Sequence, residues 1–330
     1  MAIEMALFGA GRIGEIHAAN IAHHPAVRLR YVVGGQDANR SATLAAKYGA
    51  AAVSADVALG DGEVQAVAIA SPTPTHPDLI IKAAGAGKAI FCEKPIALNL
   101  QQLDDSLAAV KTAGVPFFLG FNRRFDPSFS QLHTAVKAGQ IGSVEMVNIT
   151  SRDPAPPPLE YLQTSGGIFA DMVIHDFDMA RWLLGEEPTE IFATASCLVN
   201  PEIAQLGDAD TAMIILKTMS GKLSHINVSR RAVYGYDQRI EVFGSAGMVQ
   251  AGNHTPTTVE LATANGVSRD KPLHFFLERY AAAYQREIDH FVDIITKGVS
   301  PLVGGDDGRK SLILAEAAKL SATTNQPVKL

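Results

Sequence analysis

Asp171, His175 and Asp178 fall at i, i+4 and i+7 within the stretch Asp171-Met-Val-Ile-His-Asp-Phe-Asp178. On a helix those positions form one stripe about 60° wide at ~100° per residue. Met172, Val173, Ile174, Phe177, Met179 and Leu183 take most of the remaining surface. A helix apolar nearly all round is a buried helix, and buried charges must be paired or used. An amphipathic helix with a solvated face has the same spacing, but such faces usually carry long Lys and Glu side chains. Here two short acids bracket an imidazole. A carboxylate one turn before a histidine orients the ring and stabilises its protonated form, which tunes a general base to work near neutrality.

What the base acts on depends on the elements around it. An apolar strand over 3–8 runs into Gly9-Ala-Gly11-Arg12-Ile13-Gly14, and a helical pattern continues to about His23. This is GxGxxG between a strand and a helix. Gly9 permits the tight turn, Gly11 lets the backbone approach a pyrophosphate, and Gly14 lets helix pack close to strand. The phosphates are expected over Arg12 and Ile13, where the helix N-terminus favours anions. A second strand over 28–33 completes a βαβ unit. An NAD site usually places an acid about 20 residues past the glycines, on the ribose 2′-hydroxyl. At that point the chain reads Gly34-Gly35-Gln36-Asp37, with Arg40 beyond. Asp37 reaching back selects NAD, whereas a missing acid plus Arg40 admits the 2′-phosphate of NADP. In a third reading Asp37 and Asn39 merely cap the helix over 40–48.

Strands over 64–70, 89–92 and 116–120 alternate with helices over 75–86 and 100–113. That rhythm predicts an α/β Rossmann domain with a doubly wound parallel sheet, with ligands beyond the carboxyl ends of the strands. Two segments lie there. In Ser71-Pro-Thr73-Pro-Thr75-His76, hydroxyls and backbone N–H groups can contact the nicotinamide ribose or pyrophosphate; Thr75 also reads as an ordinary helix cap. In Glu93-Lys94-Pro95, Lys94 can lie against cofactor and reacting oxygen with its pKa lowered by partial burial, or form a surface pair with Glu93.

After residue 121 the βαβ rhythm stops, which divides the chain into a dinucleotide-binding domain over 1–121 and a second domain over 122–330. A helix over 128–138, a strand over 144–151 and the stiff loop Pro154-Ala-Pro-Pro-Pro158 lead to Gly166-Gly167 and the Asp171 helix. Strands over 189–199, 211–218, 222–231, 237–243 and 257–261 then predict an α+β domain with a large open, mainly antiparallel sheet and the reactive helix on one side. A helix over 275–296 carries Tyr280, Tyr284 and Phe291, whose plain reading is core packing. A last helix covers 306–323. Pockets favour domain interfaces, so Arg123 and Asp153, in domain-joining loops, are candidates to hydrogen-bond a hydroxylated substrate.

The 330 residues are 47% hydrophobic with net charge −6 and no basic tail, so nucleic acid and anionic membranes are not expected partners. No run approaches 18 apolar residues and no signal peptide is evident, so a soluble cytoplasmic protein is expected. Cys92 and Cys197 make no metal-ligand spacing, and no metal is expected.

The order Gly9-Ala-Gly11-Arg-Ile-Gly14, Glu93-Lys94-Pro95, Gly120-Phe-Asn-Arg-Arg-Phe-Asp-Pro127 and Ser165-Gly-Gly-Ile-Phe-Ala-Asp171 with His175-Asp-Phe-Asp178 resembles the glucose-fructose oxidoreductase / inositol dehydrogenase / rhizopine catabolism family. Ser151-Arg-Asp-Pro154, Asp178-Met-Ala-Arg-Trp-Leu183 and Tyr234-Gly-Tyr-Asp-Gln-Arg-Ile-Glu241 are similar to its bacterial inositol 2-dehydrogenases. The resemblance runs end to end. By position it implies Lys94, Asp171 and His175 as catalytic residues, and oxidation of a secondary ring hydroxyl, myo-inositol to the 2-keto sugar. His175 would take the proton, Asp171 orient it and Lys94 polarise the oxygen. Substrate hydroxyls would be held by Arg123, Asp153, Asp178, Tyr236 and Tyr280, and the cofactor in part by Glu93 and Asn122. The resemblance also implies a homotetramer built through the open sheet face. Gly34-Gly35 departs from the acidic strand end of near relatives, so NAD is the first expectation with NADP as the alternative. Two other readings share these residues: a broader sugar or scyllo-inositol oxidoreductase, and a dinucleotide-sensing regulator. The regulator should have lost the lysine or histidine, and this chain keeps both.

Overall fold

The computed structural model describes residues 2–35 and 38–330. The chain divides into two compact units, Met1–Phe125 with Ala283–Leu312, and Asp126–Ala282 with Ile313–Leu330. The first division falls between Phe125 and Asp126. The chain also re-enters the first unit through the helix Ala281–Lys297, which the sequence pattern assigns to the second. An aromatic stripe explains the return. Phe291 stacks on Phe118 at 6.2 Å and sits 6.0 Å from Phe91, and Tyr284 meets His17 at 5.7 Å.

The first unit is built on β1 (Ile3–Phe8), β2 (Val27–Val33), β3 (Ala51–Val53), β4 (Ala66–Ile69), β5 (Ala89–Glu93) and β6 (Phe117–Gly120), in the order β3-β2-β1-β4-β5-β6. Every pairing is parallel. β4, β5 and β6 are buried throughout, which is why they read as unbroken apolar runs. The strand order reverses between β1 and β4. At such a switch point the carboxyl ends of the strands frame a ligand crevice.

The second unit holds β7 (Val144–Arg152), β8 (Pro188–Ser196), β9 (Thr211–Thr218), β10 (Leu223–Ser229), β11 (Asp237–Gly244), β12 (Gly247–Ala251), β13 (Glu260–Thr263), β14 (Gly266–Arg269) and β15 (Val328–Lys329). Seven form one sheet in the order β12-β11-β7-β10-β9-β8-β15, antiparallel except for the β7–β10 pair. β13 and β14 pair only with each other and are exposed, so the strand expected over 257–261 does not join the sheet. Burial alternates along β9, β10 and β11. Ile149, Val147, Ile226 and Val228 face the core, and the helix Ile174–Leu184 packs on β7 and β10. The opposite face leaves Leu223, Met146, Phe243 and Met248 exposed in one register row. No helix among the described residues is long and apolar enough to cross a membrane.

The reactive stretch departs from one continuous helix. A helix closes at Asp171 (Gly167–Asp171), and a second begins at Ile174. Between them the N–H groups of Met172 and Val173 both donate to the Ile168 carbonyl, at 3.0 and 2.9 Å. That widened turn removes the straight stripe expected for Asp171, His175 and Asp178. Burial of the stretch does hold: Met172, Val173, Ile174, Phe177, Met179 and Leu183 are all buried.

Candidate active site

In the first unit the predicted cofactor residues gather at the carboxyl ends of the strands. Gly9 follows β1 with φ +108°, and a Cβ there would lie 2.5 Å from the Ala70 carbonyl oxygen. A Cβ on Gly14 would lie 2.1 Å from the Gly9 carbonyl oxygen, so only glycine lets the helix Arg12–His23 start so close to the turn. Gly11 instead has no heavy atom within 4 Å of its would-be Cβ, leaving the space a pyrophosphate needs above the helix N-terminus. Asn122, beyond β6, is 3% exposed and its side-chain oxygen has no hydrogen-bond partner. An open glycine turn and an orphaned buried amide oxygen fit a dinucleotide. Asp37 lies outside the described residues. Arg40 pairs with Glu15 at 3.1 Å, which engages the cation that the NADP reading needs.

His76 is 1% exposed, and its ring nitrogens lie 2.8 Å from the carbonyl oxygens of Pro95 and Ser71. Burial pushes its pKa down, against the pull of those carbonyls. It therefore ties the loop after β4 to the loop after β5. Thr75 donates back to the Pro72 carbonyl (2.7 Å) and makes no side-chain cap, while its hydroxyl also meets Ser71 at 2.6 Å. Thr73, like Ser71, is half-buried.

Lys94 is half-buried at the end of β5, and Arg123 is buried in the turn Asn122–Phe125. Glu93 turns inward: its Oε1 meets His17 Nε2 at 2.7 Å and its Oε2 accepts from the Lys94 N–H at 3.3 Å. His17 and Glu93 are 76 positions apart, so only the folded chain reveals the pair; the signal available was a histidine on the buried Gly14, Ala18, Ile21 face. Glu287 comes from the returning helix. It is fully buried, neither carboxylate oxygen has a partner, and burial together with Glu93 pushes its pKa well above the ordinary range. Burial thus favours its protonated form. An acid with a raised folded pKa costs nothing below its unfolded pKa, and stability is lost as pH rises from there toward the folded value. Glu287→Gln should match the wild type near pH 4 in denaturant titrations. Above that it should gain up to about 1.4 kcal/mol per pH unit. A gap that does not change with pH would refute a protonated Glu287.

In the second unit the strand register gathers a polar cluster of its own. Arg152 pairs with both Ser229 and Asp237, so Asp153, Arg230 and Tyr236 emerge side by side at one end of β7, β10 and β11. Asp171 joins them. Its Oδ1 accepts from the Tyr161 hydroxyl at 2.8 Å, and its Oδ2 lies 3.4 Å from Arg230. Tyr236 meets Tyr280 edge to face at 5.9 Å. Asp178 is buried on the next helix, 3.8 Å from Arg181, and His175 is half-buried at that helix's start. Tyr161 and Arg230 carry no local signal. Tyr161 follows the Pro-rich loop, and Arg230 is one of two arginines after a strand.

A parallel sheet reversing at a glycine turn, with titratable groups at strand ends, defines a dinucleotide-dependent enzyme. Residues 3–121 match the oxidoreductase family with the NAD-binding Rossmann fold, and residues 129–250 match the GFO/IDH/MocA C-terminal domain. The chain belongs to the GFO/IDH/MocA oxidoreductase family. It is 47% identical to inositol 2-dehydrogenase of Rhizobium meliloti (strain 1021), covering 100% of both chains. The structure of a myo-inositol dehydrogenase from Corynebacterium glutamicum ATCC 13032 superposes with a TM-score of 0.96 at 41% identity, covering 100% of this chain and 99% of that one. Scyllo-inositol dehydrogenase from Lactobacillus casei, with NAD(H) and scyllo-inositol bound, gives 0.93 at 27% identity, with 100% and 99% covered. The protein is an oxidoreductase whose first unit is an NAD-binding Rossmann domain.

Proposed function

We propose that the protein oxidises a secondary ring hydroxyl of a cyclitol, myo-inositol to 2-keto-myo-inositol, using NAD. The bound nicotinamide supplies the hydride acceptor. His175 takes the hydroxyl proton, Asp171 orients His175, and Lys94 polarises the reacting oxygen. Arg123, Asp153, Asp178, Tyr236 and Tyr280 hold the remaining hydroxyls; Gly9, Gly11, Arg12, Ile13, Gly14, Ser71, Thr73, Glu93 and Asn122 form or shape the cofactor site. The observation that carries this reading is the polar end of the seven-stranded sheet, where Asp153, Arg230 and Tyr236 line up beside Asp171. Full-length identity to an inositol 2-dehydrogenase supports the substrate. The scyllo-inositol-bound relative favours a second reading, a wider cyclitol range on the same residues.

Absorbance of reduced nicotinamide tests both. Myo-inositol, scyllo-inositol and glucose are offered with NAD or NADP in parallel. The expected result is the highest kcat/KM with myo-inositol and NAD. A preference for scyllo-inositol or glucose would leave the site standing and replace the substrate. Tight NAD binding without turnover on any polyol would instead indicate a regulator.

The same chain is inferred to assemble as a homotetramer through the open sheet face, where the exposed Leu223, Met146, Phe243 and Met248 row supports an apolar contact. A nicotinamide cofactor and two free thiols, Cys92 and Cys197, fit the cytoplasm.

A further inference from the structure

Asp171 is held from two sides, and neither partner belongs to the residues proposed above to touch substrate. The Tyr161 hydroxyl, on the short helix Leu159–Leu162, donates to Oδ1 at 2.8 Å. The Arg230 guanidinium approaches Oδ2 through both terminal nitrogens, at 3.5 and 3.4 Å. Arg230 is 1% exposed, its Nε has no partner, and Asp171 is its one carboxylate among the described residues. A buried guanidinium with a single counter-ion requires that counter-ion to be charged.

The backbone fixes this contact. Arg230 directly follows β10, and its N–H donates to the Asp210 carbonyl at 2.8 Å. The neighbouring acids are occupied elsewhere. Asp208 accepts from the Ile168 N–H at the start of the Asp171 helix, and Asp210 accepts from the N–H groups of Leu198, Val199 and Asn200. Asp178, on the following helix, faces Arg181 at 3.8 Å. Asp176 and His175 are the other titratable groups of that helix.

We infer that Arg230 and Tyr161 are positioning residues for the catalytic pair: Tyr161 sets the rotation of the Asp171 carboxylate, and Arg230 fixes its other oxygen while drawing off part of its charge from His175. The inference rests on the proposed roles of Asp171 and His175. A cation beside Asp171 weakens the hold of that carboxylate on a proton at His175. Its removal acts in one direction by two routes. Without the cation, the full Asp171 charge stabilises protonated His175, and Asp171 itself takes up a proton more easily.

The test is the pH profile of kcat/KM for Arg230→Met, Arg230→Lys, Tyr161→Phe and Asp171→Asn. Arg230→Met is expected to move the acidic limb up by about one pH unit, to lower kcat roughly tenfold, and to leave KM for NAD unchanged. Arg230→Lys, which restores a cation, should bring the limb back. An Arg230→Met limb at the wild-type position, with only a lower melting temperature, overturns the inference and leaves a structural ion pair. If Arg230→Met does not fold, Tyr161→Phe decides, because Tyr161 is 45% exposed and its ring can stay in place. A several-fold loss of kcat at unchanged KM for NAD is expected, and wild-type kcat and limb overturn the inference. Asp171→Asn separates the two levels of the argument. Wild-type turnover in that variant defeats the active-site reading itself, whereas collapse there beside a wild-type limb in Arg230→Met defeats only the positioning by Arg230.

Discussion

His175→Ala is expected to lower kcat by at least ~100-fold, the lower end of what a positioned general base contributes. The imidazole is half-buried at the start of a helix whose other residues are almost all buried, so its position is fixed by packing rather than by solvent. Asp178 is a poor substitute for it, being buried 3.8 Å from Arg181. NAD affinity should stay within a few-fold of the wild type, since the glycine turn and Asn122 lie in the first unit. Cofactor titration by fluorescence checks that half, and reduced-nicotinamide absorbance checks the rate. The expected signature is a loss in kcat and kcat/KM together, the mark of an interaction made in the transition state. A loss smaller than ~10-fold would assign the base elsewhere.

Asp126→Ala is expected to cost about 3–5 kcal/mol, the range for stranding one partner of a buried ion pair. Asp126 and Arg279 are each about 1% exposed, paired through both guanidinium nitrogens. Asp126 also caps the helix Pro127–Lys137, accepting from the N–H groups of Ser128 and Phe129 at 3.1 Å. Loss of that cap adds roughly 1 kcal/mol. The guanidinium lies over the rings of Phe129 (5.2 Å) and Tyr280 (4.9 Å), so the damage reaches a proposed substrate residue. Urea denaturation followed at two wavelengths separates the second unit's transition from the first. The double variant Asp126→Asn/Arg279→Met should recover most of the loss, because no buried charge is then left unpaired. Equal stability of Asp126→Ala and the wild type would mean that water or another group solvates Arg279.

The first unit was the most legible in the amino-acid sequence. β1, the glycine turn and the helix to His23 are specified by residues adjacent along the chain, and buried parallel strands announce themselves as apolar runs. β3 is not legible there, because its three residues are largely exposed and carry no pattern. The alternating strands of the second sheet were legible for the complementary reason, that one face is buried and the other open. β15 was not, with two residues paired to β8 across most of the second unit's sequence.

The local sequence determined the residue types of the site, the glycine turn that admits a dinucleotide, and the burial of the Asp171–His175 stretch. Tertiary structure alone decided how Asp171 is held. The widened turn at Met172 and Val173 takes it off the stripe with His175, and Arg230, 59 positions away just past β10, lies 3.4 Å from it. The same holds for Glu93, fixed by His17 from 76 positions away, and for Glu287, brought in by a helix that returns to the first unit. Helix periods and turn residues act over a few positions and are written in the sequence. The pairing of buried charges depends on strand order and register, which close contacts between distant segments that no local pattern encodes.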